Sequence, residues 1–318
     1  MGHTFWIVSP DVKKTIPMSS SERQSFRADA MEVVMYYVGA GEAIVISHGG
    51  KSILVDGGSG SGSNRNDKRG SALARRISQG SLQAIVASHP HRDHTNFHAI
   101  LATAHPGLFP VAGAQYFDNA TQAADSNWGR LQTWQPNLPF NRVPVHDDPD
   151  LDDQGRIPSF FADSDAFLLR ASTGAKSVAA RKYWSAFMLL RFREAWLLFT
   201  GDAHKGYEKK LLSRLKALNA STHLLKVTHH GSSSGTAKEL LNSLDPKIAI
   251  ASTARDSGHR LEKDVRERLP KWGVYTTYDR KRAHRKQDVI VRTDGKVRTV
   301  KGVTGVRFEV WRRDSTLM

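Results

Sequence analysis

The 318-residue chain contains no cysteine at all. Disulfides, zinc–thiolate sites and cysteine nucleophiles are thereby excluded, and any bound metal must be held by histidine and carboxylate. Long apolar runs are missing as well: no stretch approaches the roughly 18 residues that a membrane-spanning helix needs. The start, Met1-Gly2-His3-Thr4-Phe5-Trp6, lacks a basic segment followed by an apolar one. The expectation is a soluble, cytoplasmic protein with no membrane partner. Basic residues are scarce in one half only. Residues 1–160 carry 14 Lys/Arg against 15 Asp/Glu, a net of −1, whereas residues 161–318 carry 32 against 16, a net of +16. The excess is densest from Asp279 to Lys286, with Arg280, Lys281, Arg282, Arg285 and Lys286. Such a gradient suits a surface that attracts polyanions, and a solvated basic face without a partner is the other reading.

What remains is a globular balance, 39% hydrophobic and 24% charged, on a chain long enough for one or two domains. Residues 1–30 read as a polar, aperiodic arm, and residues 31–318 as a single domain. Met31–Val38, Glu42–Ser47 and Lys51–Asp56 read as a meander of strands turning at Gly39-Ala40-Gly41 and Gly49-Gly50. A Gly/Ser/Asn loop follows, then a helix over Ser71–Ser78 and a buried strand over Leu82–Ser88. Between 106 and 180 the pattern is irregular, with Trp128, Trp134 and an acidic run from Asp147 to Asp153, and reads as an insertion. A hairpin over Arg193-Glu194 comes next, and strands and helices then alternate to the end.

The chemistry is concentrated at strand ends. Ser88-His89-Pro90-His91-Arg92-Asp93-His94 sets three histidines and an aspartate directly after an apolar strand. One ion cannot use all four side chains: His89 and His91 can hold one, while Asp93 and His94 reach a second about 3.5–4 Å away, the spacing of two-metal hydrolytic sites. Phe199-Thr200-Gly201-Asp202 ends a second apolar strand in a carboxylate able to bridge two cations, and Val227-Thr228-His229-His230-Gly231-Ser232 ends a third in paired histidines. Each alone is ordinary surface punctuation. Three in this order point to a dinuclear centre of Zn2+ or Mn2+.

Together these motifs resemble the metallo-β-lactamase superfamily over roughly residues 31–291. The branch that looks nearest is the nuclease-type hydrolase domain of the ComEC competence-protein family, on Val38-Gly39-Ala40-Gly41-Glu42-Ala43, Ile53-Leu54-Val55-Asp56-Gly57-Gly58, the three metal motifs and Gly258-His259. The resemblance implies an α/β fold, a four-layer αββα sandwich with the metal site at one edge of its two sheets. It implies that His89 and His91 bind the first ion, that Asp93 and His94 bind the second, and that Asp202 bridges them. One of His229 and His230 would complete the second site. Neighbours on a strand point opposite ways, so His229 is expected as the ligand and His230, with Asp93 and His259, as part of the catalytic apparatus. Asp56 would orient a ligand imidazole through its other ring N–H. The sequence departs from the pattern at Ala40 and Glu42, where Gln and Asp are usual, and at Arg181–Ser185. No third histidine for the first ion has the expected context, His105 and His146 being the later candidates.

Two cations sharing Asp202 would share a water, bringing its pKa from 15.7 toward about 7. A basic surround adds a reason for a polyanionic substrate, since Lys and Arg contacts to phosphates hold nucleic acid without reading its sequence. The leading expectation is a metal-dependent phosphodiesterase or nuclease acting on DNA or RNA through a bridging hydroxide. The alternatives are a hydrolase of a small ester, lactone or phosphodiester on the same site, and a nucleic-acid-binding protein with an incomplete metal centre.

Overall fold

The computed structural model describes residues 4–8, 13–15, 18–60, 68–77, 81–89, 91–104, 109–112, 156–157, 159–169, 185–218, 220, 222–255, 259–269, 273–279, 285–300 and 303–315. Strands β1 (Thr4–Val8) and β2 (Lys13–Thr15) precede helix α1 (Ser20–Asp29). Then come β3 (Met31–Met35), β4 (Ala43–His48) and β5 (Lys51–Asp56), helix α2 (Lys68–Arg76), and β6 (Leu82–Ala87). Short helices α3 (Arg92–Thr95) and α4 (His98–Ala104) lead to β7 (Phe109–Ala112). Next are β8 (Arg156–Ile157), β9 (Ser164–Leu169), β10 (Phe187–Phe192) and β11 (Ala195–Phe199), then α5 (Lys205–Ala217) and β12 (Leu224–Lys226). A 3-10 turn (Thr228–Gly231), α6 (Lys238–Leu244), β13 (Ile248–Ala251), α7 (Lys263–Arg268), β14 (Val274–Thr276) and β15 (Tyr278–Asp279) follow. The long hairpin β16 (Arg285–Val300) and β17 (Val303–Asp314) closes the order.

One sheet runs β2-β1-β17-β16-β3-β4-β5-β6-β7, with β15 also on β16, and the other runs β14-β13-β12-β11-β10-β9-β8. Their strands are apolar on both faces, and period-2 alternation divides each run between two cores. Ile44, Ile46, Ile53 and Val55 of one sheet meet Leu197, Phe199, Leu224, Ile248 and Ile250 of the other between the layers. The intervening Val45 and Leu54 face Leu73, Phe97 and Leu101 of the helical side around α2 and α4. Leu198, Leu225 and Ala249 face Leu211, Leu215, Leu240 and Val265 on α5 to α7. The order helix, sheet, sheet, helix is the four-layer sandwich expected.

The structure departs from the sequence reading in two places. Residues 1–30 are not an aperiodic arm in their described part, because β1 pairs with β17 from Thr4↔Val310 to Val8↔Val306. The partner lies some three hundred residues away, so no local pattern announces it. Helix α1 starts on a capping box, with Ser19 Oγ accepting from Glu22 N–H and Glu22 accepting from Ser19 N–H. That Ser-x-x-Glu signal was legible. The irregular stretch 106–180 contains β7 on the first sheet and β9, which pairs with β10 over six residues. Trp128, Trp134, His105, His146, the acidic run 147–153 and residues 181–184 lie outside the described residues.

Candidate metal centre

The site forms where β5, β6, β11 and β12 end along one edge of the sandwich. Gly201 makes the β11 turn possible: at φ +51° it sits where a Cβ would come within 2.6 Å of Ser88 Oγ. The approach brings Ser185 Oγ to the Asp202 N–H at 2.7 Å. His229 N–H donates to Gly201 O at 3.0 Å, joining the β12 end to the same turn.

Three groups of donor side chains converge among the described residues: Asp93, His94, Asp202 and His230; His89, His91 and Asp202; and, deeper, Glu42, Asp56 and His94. Asp202 belongs to the first two. Its Oδ2 lies 3.3 Å from His94 Nε2, 3.5 Å from His230 Nε2 and 3.8 Å from His89 Nε2. Asp93 Oδ2 lies 3.8 Å from His94 Nε2 and 3.6 Å from His230 Nε2. Donors on a tetrahedral ion at bond lengths near 2.0–2.1 Å are roughly 3.3 Å apart, so the group is near the span that such an ion bridges. His89 Nε2, 3.8 Å from Asp202 Oδ2, is buried with no hydrogen-bond partner among the described residues. An orphaned imidazole nitrogen aimed at a carboxylate is costly unless something cationic sits between them. The donor set fits hard or borderline divalent cations.

Asp56 organises both ligand rings. Fully buried at a positive φ of 58°, it accepts from Ser88 N–H at 2.7 Å and from Ser88 Oγ at 2.9 Å, and pairs with His94 Nδ1 at 2.8 Å. A carboxylate only accepts, so the hydrogen of His94 sits on Nδ1 and its Nε2 lone pair is left for the centre. Ser88 Oγ, having donated to Asp56, accepts from His89 Nδ1 at 2.9 Å, and the same tautomer follows for His89.

The paired histidines are placed the other way round from the expectation. His230, not His229, joins the four-residue group, and it is buried, whereas the His229 side chain is 30% exposed. His229 Nδ1 bonds Ser234 Oγ at 2.8 Å while Nε2 stands 3.7 Å from Asp202 Oδ2. The alternation argument fails because neither residue is in a strand: His229 and His230 both have left-handed backbones, φ 50° and 54°, inside the 3-10 turn. His259 Nε2 reaches Asp93 Oδ2 at 3.2 Å and its ring lies 4.3 Å from that of His230, at the half-exposed rim. Gly258 is outside the described residues.

The electrostatics follow from burial and neighbours. Burial lowers the pKa of His94, but Asp202, Asp56 and Asp93 outweigh it and the net shift is well upward. His230, likewise opposed by burial, is raised to about 9 by Asp202 and Asp93. His89, where burial dominates and His94 adds repulsion, is pushed well down. His229 falls to about 4 through burial.

Sequence reasoning noted the segment ending at Ser185 but gave no role to Ser185 itself, which accepts from Asp202 N–H and stands 3.3 Å from His89 Nδ1. It gave Lys226 no role either. This lysine has no exposed side chain, forms an ion pair with Glu42 Oε2 at 2.6 Å and donates to Gly201 O at 2.8 Å. A fully buried Lys in an otherwise apolar strand is the signal that could have found it. Of the basic stretch, Arg285 and Lys286 are exposed at the start of β16, while Arg280, Lys281 and Arg282 lie outside the described residues.

Residues 36–154 match the family model of the Metallo-beta-lactamase superfamily. Among solved structures the chain is similar to the metallo-beta-lactamase fold protein YhfI from Bacillus subtilis, at 15% identity and a TM-score of 0.50, over 78% of this chain and 96% of that one. The chain has the metallo-β-lactamase fold. Yeast PDE1 is also similar, at 11% identity and a TM-score of 0.47, over 77% of this chain and 97% of that one. So is the short form of human tRNase Z, at 14% identity and a TM-score of 0.43, over 69% of this chain and 91% of that one. No curated protein sequence matches the chain. The metallo-β-lactamase fold implies divalent metal ions, and the converging donor groups are candidate ligand clusters for them. Among the described residues no helix is long and apolar enough to cross a membrane.

Proposed function

We propose that this chain is a metal-dependent phosphodiesterase acting on DNA or RNA, with Asp93, His94, Asp202 and His230 holding one divalent cation, Zn2+ or Mn2+, and His89, His91 and Asp202 another. The observation that carries the reading is the sharing of Asp202 between two converging donor groups at a sheet edge. Bound cations there would supply Lewis acidity to a non-bridging phosphoryl oxygen and acidify a water. His259, with its side chain 22% exposed and its ring held by Asp93, is positioned to give a proton to the leaving ester oxygen as the water oxygen bonds to phosphorus. His229, partly exposed at the opening, would steady the substrate. The ComEC-like nuclease domain is the branch whose motif order this site shares.

A polyanionic substrate is supported by charge. Arg92 is exposed within the histidine motif, and Arg255 and Arg260 are exposed beside His259, with Arg260 donating to Arg255 O. The second half of the chain as a whole carries a net charge of +16. The test is turnover of single- and double-stranded DNA, of RNA, and of a small chromogenic phosphodiester and carboxylic ester, with added Zn2+ or Mn2+. Cleavage of nucleic acid that disappears on chelation is expected. Turnover of the carboxylic ester alone would overturn the phosphodiesterase reading, and salt-sensitive binding without any turnover would make the protein a nucleic-acid binder.

A further inference from the structure

The ion pair between Lys226 and Glu42 plays no part in the proposed chemistry, although Glu42 stands in a donor group with Asp56 and His94. Both side chains are wholly buried. Glu42 lies on the turn between β3 and β4 of one sheet, and Lys226 on β12 of the other, so the pair crosses the sandwich. Glu42 is itself fastened at its backbone: its N–H donates to Asp93 O at 2.9 Å and its carbonyl accepts from Gly58 N–H at 2.9 Å. Lys226 Nζ then meets Gly201 O at 2.8 Å and Asp202 Oδ1 at 3.8 Å.

The two oxygens of Asp202 therefore face different worlds. Oδ2 faces His89, His94 and His230, and Oδ1 faces the ammonium. A carboxylate turns about its last bond with little preference of its own. Its orientation must come from neighbours, and a cation fixed on one side supplies it.

We propose that Lys226, anchored by Glu42, is a positioning residue that turns Asp202 so that Oδ2 is presented to both metal groups at once. The alternative is that the pair serves only to join the sheets. Buried ion pairs can be replaced by apolar side chains of similar volume with little loss of stability, so a purely structural pair should be dispensable. The pair is also neutral overall. Removing both partners leaves the net charge at the site unchanged and takes away the orientation together with the bond from Lys226 to Gly201 O.

The inference rests on the proposed metal centre and not on the substrate, so it is tested by binding. Wild-type protein, freed of metal by chelation, is titrated with Zn2+ in a calorimeter beside the double variant Lys226→Met with Glu42→Leu, and both are unfolded in urea. The expected result is a midpoint close to wild type with zinc affinity lowered roughly 10–100-fold, the usual effect of removing a group that orients a metal ligand. An unchanged zinc affinity in the folded double variant overturns the inference. Should the apolar pair fail to fold, Lys226→Gln with Glu42→Gln keeps polar side chains across the sheets without charge and is read by the same criterion. Wild-type protein that binds neither Zn2+ nor Mn2+ would overturn the metal reading itself, a different outcome from a wild type that binds and a variant that binds equally well.

Discussion

His94 and His230 present their Nε2 atoms to each other at 3.3 Å, between the carboxylates of Asp93 and Asp202. Two imidazole lone pairs at that distance repel unless a proton or a metal lies between them. Against burial and against His94, the carboxylates of Asp202 and Asp93 raise the pKa of His230 to about 9, which favours a proton on this ring when no metal is bound.

The sign of the resulting pH dependence is set by that upward shift. An unfolded histidine titrates near 6.5, so the folded protein holds the extra proton between about 6.5 and 9. The contribution of His230 to metal-free stability is therefore full below pH 6.5 and is lost as pH rises toward 9, by at most about 1.4 kcal/mol per pH unit. Zinc binding must expel the proton, so affinity rises over the same interval. Urea unfolding with and without Zn2+ at several pH values checks this, and zinc titrations in buffers of different ionisation enthalpy count the protons released. Metal-free stability that increases from pH 6.5 to 9 would contradict it.

Asp202→Ala should abolish turnover and remove at least one bound metal, because it takes a donor from both groups. The fold should survive, since the side chain ends a strand and faces the site, outside the apolar cores. Elemental analysis and a far-ultraviolet spectrum decide between loss of metal and loss of fold. Full activity in this variant would rule out the dinuclear arrangement.

The two adjacent histidines should separate cleanly. His230→Ala is expected to lower metal content, whereas His229→Ala should retain metal and slow turnover, since only His230 is buried among the donors. Metal analysis of the two purified variants is sufficient. Equal depletion in both would mean that His229 also binds.

Neutralising Arg280, Lys281, Arg282, Arg285 and Lys286 together should weaken nucleic-acid binding for every sequence and flatten its salt dependence. The flattening should be roughly 0.7–0.9 of a log–log slope unit for each phosphate that is no longer neutralised. Turnover of a small phosphodiester should barely change, because such a substrate reaches the donors without that surface. Unaltered salt dependence would identify the stretch as a solvated face.

Which donors exist, and that they end strands, was written in the amino-acid sequence. With cysteine absent, His89, His91, Asp93, His94 and Asp202 were the available ligands, and the apolar runs before them are legible because strands buried on both faces leave an uninterrupted hydrophobic signature. Which of His229 and His230 turns toward the donors was set by the folded chain, since the left-handed turn that holds them obeys no strand alternation. The pairing of β1 with β17, and of Glu42 with Lys226, likewise joins residues separated by most of the chain. Local pattern reports which face a residue turns to the core, and only the closing of two sheets decides which buried charge it meets there.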